Sequence, residues 1–451
     1  MQKYNFMPDL RESHLAPVSF DNPEIRAVPT QKFPPNNLLD LITYTRLHSE
    51  IRSLAGGMPA SELHPRVDIQ NAINEVLSDP NIPPDEIFQY GNARGNYRYR
   101  EVVADNLTKV TETELTPDHV ITTVGGQDAI SKFLEATFGP GNPERKVLLT
   151  RPDTYSALMG AAERFNIQVV GVLSDHEGII PEELEKTIIT LLDDYQVTPA
   201  GIFEMVLSNP TGGVMSDKRG LELSKICEKY GLNAYFDYAY FGIIFDENIE
   251  EPKLLYLDSK GITVGFSSSK IIAPGLRTTH LITKDDELMD KYVAIKRDEK
   301  IFTPPILELA LWKLFSNQEW MKQRLATVKK RYLVGKETAV EAINQNSDVL
   351  KISINPQGGM FLYPEMPPGF SSHRLLERLL TEAKIALVPG SWTQTHQLQM
   401  ADGNLIGPPM KDNNFRLCYS TLPPNELKEV ISELAIFLRK VAKEENIQLF
   451  N

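Results

Sequence analysis

The sequence predicts an α/β chain: a large domain with a mostly parallel seven-stranded sheet, plus a smaller α+β domain. Two observations carry that reading. Between about residues 85 and 285, seven short apolar runs alternate with helical stretches, the pattern of strands buried on both faces of a largely parallel sheet. Beyond residue 345 that rhythm stops, and strand-like and helical segments mix. A length of 451 residues accommodates two such units.

The first 40 residues carry Pro8, Pro17, Pro23, Pro29, Pro34 and Pro35, so residues 1–40 are expected to run as an extended N-terminal arm. A helical pattern over about 37–54 ends at Gly56-Gly57-Met58-Pro59, and residues 41–84 are assigned to the N-terminal part of the small domain. The large domain, residues 85–310, holds apolar runs at 120–124, 147–150, 167–172, 202–207, 232–236, 262–266 and 280–283. Thr303-Pro304-Pro305 then opens a long helical region to about Asn344, since proline is tolerated in a first turn and Leu307, Leu311 and Leu314 keep helical spacing. That helix could break near Gly335, and residues 311–345 are read as an interdomain bridge. The C-terminal small domain, residues 346–451, alternates segments at 350–354, 360–363, 371–382, 385–388, 415–420 and 425–444.

Composition excludes several functions. Lysine and arginine number 47 against 60 acidic residues, a net charge of −13, which argues against a nucleic-acid partner. Two cysteines, Cys227 and Cys418, are too few for a disulfide framework or a cysteine-rich metal site, and a reducing compartment is the simplest home. No HExxH, CxxC, GxGxxG or GxxxxGK[ST] pattern occurs. No apolar stretch approaches the ~20 residues of a membrane span, and Met1-Gln2-Lys3-Tyr4-Asn5 leads into no signal-like segment. The expectation is a cytoplasmic protein with no metal site and no membrane partner.

Ligands of open α/β sheets bind beyond the carboxyl ends of the strands, so polar residues just after apolar runs are the informative ones. Run 202–207 is followed by Ser208-Asn209-Pro210-Thr211-Gly212-Gly213, run 232–236 by Asp237-Tyr238-Ala239-Tyr240, and run 262–266 by Ser267-Ser268-Ser269-Lys270. Arg277 stands seven residues after Lys270. Each fragment alone reads as an ordinary turn, helix cap or solvated lysine. In this order and spacing, with Ser267 to Lys270 continuing through Ile271-Ile272-Ala273-Pro274-Gly275-Leu276-Arg277, they resemble the fold-type I pyridoxal 5'-phosphate (PLP) dependent aminotransferases of class I/II. The likeness runs from about Gly56 to Arg416 and is nearest the 2-aminoadipate and kynurenine aminotransferase branch.

The resemblance implies an aspartate aminotransferase-like fold with a large PLP-binding domain, and it assigns roles. Lys270 is the residue whose amine forms the imine with PLP and then moves the substrate proton. Burial at a strand end gives such an amine a reason to lose its proton. Asp237 would pair with the pyridine nitrogen and make the ring an electron sink. Tyr240 and Asn209 would bond the phenolic oxygen, and Tyr155, in Arg151-Pro152-Asp153-Thr154-Tyr155, would stack on the ring. The turn Gly125-Gly126-Gln127 at a helix start, with Ser267, Ser269 and Arg277, would bind the phosphate. The family often has serine where Gly126 stands, so one hydroxyl is missing. Tyr90, in Tyr90-Gly91-Asn92-Ala93-Arg94-Gly95 with Arg100 further on, would reach the phosphate of the other subunit of a homodimer. Arg416, in an alternating strand-like run, would clamp the substrate α-carboxylate, and Gly57 would lie in the entry segment beside the substrate.

Departures from the family fall near the site. Thr278-Thr279-His280 follow Arg277 where a glycine and an aromatic are usual, Trp392 replaces the usual phenylalanine, and residues 393–414 are long and polar, a substrate lid or a surface loop. The resemblance implies transfer of an amino group from an L-amino acid to a 2-oxo acid by a ping-pong route. A fold-type I enzyme of decarboxylation, elimination or cyclisation is the alternative. A transcription regulator on this scaffold would need a basic N-terminal module. Residues 1–60 instead hold Lys3, Arg11, Arg26, Lys32, Arg46 and Arg52 against Asp9, Glu12, Asp21, Glu24, Asp40 and Glu50.

Overall fold

The computed structural model describes residue 35, residues 37–139 and residues 146–451. The extended arm expected over residues 1–40 lies almost wholly outside the described residues. Asn37 caps helix α1 (Leu38–Leu47), its side chain accepting the Asp40 N–H. The helix stops at Leu47 rather than near residue 54, because Arg52–Ser53 pairs in parallel with Ile385–Ala386. Tertiary pairing overrides the local helical pattern there.

The seven expected apolar runs become one sheet. Its strands are β1 (Val120–Thr123), β2 (Lys146–Thr150), β3 (Ile167–Gly171), β4 (Pro199–Met205), β5 (Asn233–Tyr238), β6 (Ile262–Ser267) and β7 (Thr279–Ile282). The spatial order is β1-β7-β6-β5-β4-β2-β3. Only β7 runs against its neighbours; the remaining pairs are parallel. Every residue of β1, β6 and β7 is buried, which is why these segments read as continuous apolar or small-polar runs instead of alternating ones.

Helix α2 (Tyr97–Thr111) leads into β1, and α3 (Gly126–Phe138) follows it directly. The stretch after Thr303 forms two helices, α4 (Pro305–Ser316) and α5 (Gln318–Asn344). The break is at Asn317, whose side chain caps α5 by accepting the Trp320 N–H at 3.0 Å. Helix α5 passes through Gly335 unbroken. A Cβ there would collide with the Tyr419 carbonyl, so that glycine serves close packing, not a kink.

The C-terminal part centres on a three-stranded antiparallel sheet of β8 (Phe361–Leu362), β9 (Val388–Pro389) and β10 (Phe415–Cys418), in the order β8-β10-β9. Helix α6 (Pro424–Glu445) packs on α5 and buries Leu427, Val430, Ile431, Leu434, Leu438 and Val441, one apolar stripe at helical spacing.

Residues 393–414 are not a detached flap. Their start is bonded to the chain after β2, Thr154 N–H to Thr393 O at 2.7 Å and Thr395 N–H to Pro152 O at 2.9 Å. Leu398–Gln399 and Leu405–Ile406 pair as a hairpin. A Cβ built at Gly407 would stand 3.1 Å from the Gly171 carbonyl, which places the segment against the end of β3.

Candidate active site

The carboxyl ends of β4, β5 and β6 open onto one cavity, lined by Asn209, Asp237, Tyr240, Ser267, Ser269, Lys270 and Arg277 together with Gly126, Gln127, Tyr155 and Thr279. Parallel neighbours end at the same level, so the residue after each strand points into shared space. Residues separated by up to 153 positions in the chain thereby become neighbours, from Gly126 to Thr279.

Lys270 and Asp237 share this cavity. Burial pushes the Lys270 amine down to about 8; Cys418 and Asp237 oppose the shift, while Arg416 and Arg277 add to it. Burial likewise pushes the Asp237 carboxyl up to about 7, against the pull of the Ala239 N–H, which donates to Oδ1 at 3.1 Å, and of the Lys270 charge. Lys270 Nζ donates to the Gly57 carbonyl at 2.8 Å. Gly57 can approach because it lacks a Cβ, which would stand 2.6 Å from Phe361 Cζ.

A second group links the sheet to β10. Arg416 is 1% exposed, donates from Nη1 to Asn209 Oδ1 at 3.1 Å and from Nη2 to Ala55 O at 2.8 Å, and lies 4.3 Å over the Phe361 ring. Among the described residues its Nε has no hydrogen-bond partner. A buried guanidinium with an unused donor and no carboxylate beside it is short of an anionic partner. Asn209 Nδ2 donates to the Tyr240 hydroxyl at 3.3 Å, and burial raises that hydroxyl's pKa well above the usual tyrosine value. Tyr155, ahead of the helix Ser156–Arg164, also lines the cavity, and burial raises its hydroxyl too.

The far end is built for an anion. Helix α3 begins at Gly126, and the N–H groups of Gly126 and Gln127 have no acceptor one turn earlier. Gly125 has φ +86°, and a Cβ there would strike the Arg277 guanidinium, so only glycine fits. Arg277 donates from Nη2 to Val124 O at 3.1 Å and remains largely exposed. Gln127 contributes main chain only, since its Nε2 donates away to Ala157 O at 3.0 Å. A Cβ at Gly126 meets nothing within 4 Å, so the absent serine hydroxyl is not a packing requirement.

Not every expected residue converges here. Tyr90 is 76% exposed, packs edge-on to Phe302 at 5.7 Å, and does not line the cavity of its own chain. Arg100 is buried and spends its donors on the Gly95 and Pro117 carbonyls. Cys418 is buried beside Ser420, Sγ to Oγ 3.1 Å, close enough to influence Lys270. Sequence reasoning passed over Phe361, Ala55 and Thr279. Thr279 stood in plain view as a departure after Arg277, but its place opposite Ser267 depends on strand pairing.

A sheet of this order with lysine, aspartate and asparagine at successive strand ends and an anion turn after β1 defines a fold-type I aminotransferase. The chain matches the family model for aminotransferase class I and II over residues 68–434, and it belongs to that family. It is 26% identical over 403 residues to a 2-aminoadipate transaminase of Thermus thermophilus, covering 86% of this chain and 90% of the relative. It is 24% identical over 338 residues to a mitochondrial kynurenine/alpha-aminoadipate aminotransferase of Rattus norvegicus, covering 71% and 73%. The fold superimposes with a TM-score of 0.74 on the alpha-aminoadipate aminotransferase LysN of Thermus thermophilus, solved with N-(5'-phosphopyridoxyl)-L-leucine, at 24% identity and covering 89% of this chain and 95% of that one. The activity is amino-group transfer, and the decarboxylase, lyase or cyclase alternative is not favoured.

Proposed function

We propose that PLP occupies the cavity between Lys270 and the start of α3, and that the protein moves an amino group from an L-amino acid to a 2-oxo acid there. The observation that carries this is the arrangement of an amine pushed down to about 8, a carboxyl pushed up to about 7, and a helix N-terminus around one space. The donor set fits the group. Gly126 and Gln127 N–H, Ser267, Ser269 and Arg277 would hold the phosphate, Asp237 the pyridine nitrogen, Asn209 and Tyr240 the phenolic oxygen, and Tyr155 the ring face. When bound, the cofactor supplies an electron-withdrawing ring that stabilises negative charge on the substrate α-carbon.

The chain supplies the rest. Lys270, neutral for a large fraction of molecules near pH 8, would hold the cofactor through its aldehyde carbon and, with its amine free, would take and return the substrate α-proton at Nζ. Asp237 would share its charge with the protonated ring nitrogen. Arg416, a buried guanidinium bonded to Asn209, would pair with the substrate α-carboxylate, and Gly57 would offer main chain at the entry. Two half-reactions at one site give ping-pong kinetics.

Tyr90, exposed and away from its own cavity, suits a contact with the second subunit of a homodimer. Division into a large unit (85–310), a linking helix (311–345) and a small unit (41–84 with 346–451) suits closure over the substrate. No helix among the described residues is long and apolar enough to cross a membrane. With two buried, unpaired cysteines, a cytoplasmic setting is the proposed one.

The test is to mix the PLP-loaded protein with a panel of L-amino acids, long acidic and aromatic ones first in view of the named relatives, and identify products by mass. A 2-oxo acid with pyridoxamine phosphate is expected. Release of carbon dioxide or ammonia would overturn the reaction class, and a protein that ignores PLP would overturn the cofactor.

A further inference from the structure

Thr279 opens β7 and faces Ser267, the last residue of β6, in direct antiparallel register. Its hydroxyl donates to Ser267 Oγ at 3.1 Å, and the Ser269 backbone N–H donates to the same oxygen at 3.2 Å. A serine oxygen has two acceptor lone pairs and carries one proton. Both lone pairs are therefore engaged by neighbours, and the Ser267 proton is left to point elsewhere. Thr279 cannot easily swing out of this role. It is 1% exposed, and on its other side the Thr123 hydroxyl donates to its carbonyl at 3.1 Å. Ser267, Ser269 and Thr279 line the cavity with Gly126 and Arg277, at the end where α3 begins.

A hydroxyl with a free lone pair can present either pole to a ligand, whereas one whose acceptor sites are filled is a committed donor. An anion needs donors only, and a donor already oriented costs no reorganisation on binding. We propose that Thr279 is a positioning residue that fixes the Ser267 hydroxyl as a donor to the phosphate group of the cofactor, offsetting the hydroxyl that Gly126 lacks. This rests on the PLP reading above.

The test titrates apoprotein with PLP and with pyridoxal, which has the same aldehyde and ring but no phosphate, following visible absorbance. Thr279→Val, close in shape and suited to a strand, is expected to bind PLP about tenfold more weakly, the scale of one hydrogen bond to a charged group, while pyridoxal affinity stays within about twofold. Thr279→Ser restores PLP affinity, and in a Ser267→Ala background Thr279→Val adds no further loss. Unchanged PLP affinity in Thr279→Val, equal weakening of PLP and pyridoxal, or full additivity with Ser267→Ala would each overturn the proposal. A wild type that takes up neither compound fails differently, overturning the cofactor reading on which it stands.

Discussion

Lys270 Nζ lies 2.8 Å from the carbonyl oxygen of Gly57, so the amine at the end of β6 is tied to main chain more than two hundred residues earlier. The bond uses one N–H and leaves the lone pair of a neutral amine available for attack. Because burial lowers this amine from 10.5 to about 8, its reactive form accumulates at lower pH than for an ordinary lysine. The rate at which apoprotein captures PLP should rise with pH and reach half its plateau near pH 8. A midpoint close to 10.5 would show that the amine is not desolvated.

Asp237 couples the site to stability. Its carboxyl is raised from 3.8 to about 7, so the folded apoprotein holds this proton more tightly than the unfolded chain does. The associated stabilisation is complete below pH 3.8 and is lost as pH rises through about 7. Asp237→Asn, neutral throughout, should therefore match wild-type apoprotein near pH 4 and melt several degrees higher at about pH 8. Its turnover should fall by at least ~10²-fold through loss of a preorganised charge. Thermal melts at the two pH values check the first part; identical offsets at both would contradict it.

Arg416 is fully buried, its Nε has no hydrogen-bond partner among the described residues, and lysine cannot reproduce its planar fork. Arg416→Lys should raise KM for the amino acid on the order of 10²-fold and leave PLP affinity unaltered. Equal losses for amino acid and cofactor would place Arg416 in the wrong half of the site.

The adjacent glycines of the anion turn should respond in opposite ways. Gly125→Ala forces a side chain into a left-handed backbone and against Arg277, so PLP affinity should drop by at least ~10-fold. Gly126→Ser enters open space at a helix start and should tighten PLP binding severalfold. Dissociation constants for the two variants decide the matter.

Tyr90 offers a test of subunit sharing. If its ring serves the partner, Lys270→Ala and Tyr90→Ala preparations are each impaired, yet a mixed dimer carries one site with both native residues. Mixing equal amounts under exchange conditions should recover up to about a quarter of wild-type activity. No recovery in demonstrably mixed dimers would return Tyr90 to its own chain's surface.

What the sequence made legible follows from how each feature is encoded. Strands buried on both faces leave unbroken apolar runs, and Asn209, Asp237 and Lys270 could be placed because each follows an apolar run within a few residues. Features that depend on pairing were hidden. The stop of α1 at Leu47 reflects the partner strand at Ile385–Ala386, and the role of Thr279 reflects the reversal of β7 against β6. Gly335 misled in the other direction: it looked like a helix breaker and is a contact surface, whereas the actual break at Asn317 was announced only by a capping side chain.

Each margin of the seven-stranded sheet is covered in part by other chain, which bears on how copies of the chain behave when crowded. An outer strand is a template for a foreign strand, and β1 and β3 are the two outer strands here. At β1 the Thr122 N–H is already taken by the Arg94 carbonyl at 3.0 Å. At β3 the hairpin of residues 393–414 lies across the end of the strand, with Asp402 at its tip. Shortening that hairpin would spare Lys270 and Asp237 yet bare a polymerisation seam, and the first symptom would be turbidity at high concentration, not slower turnover.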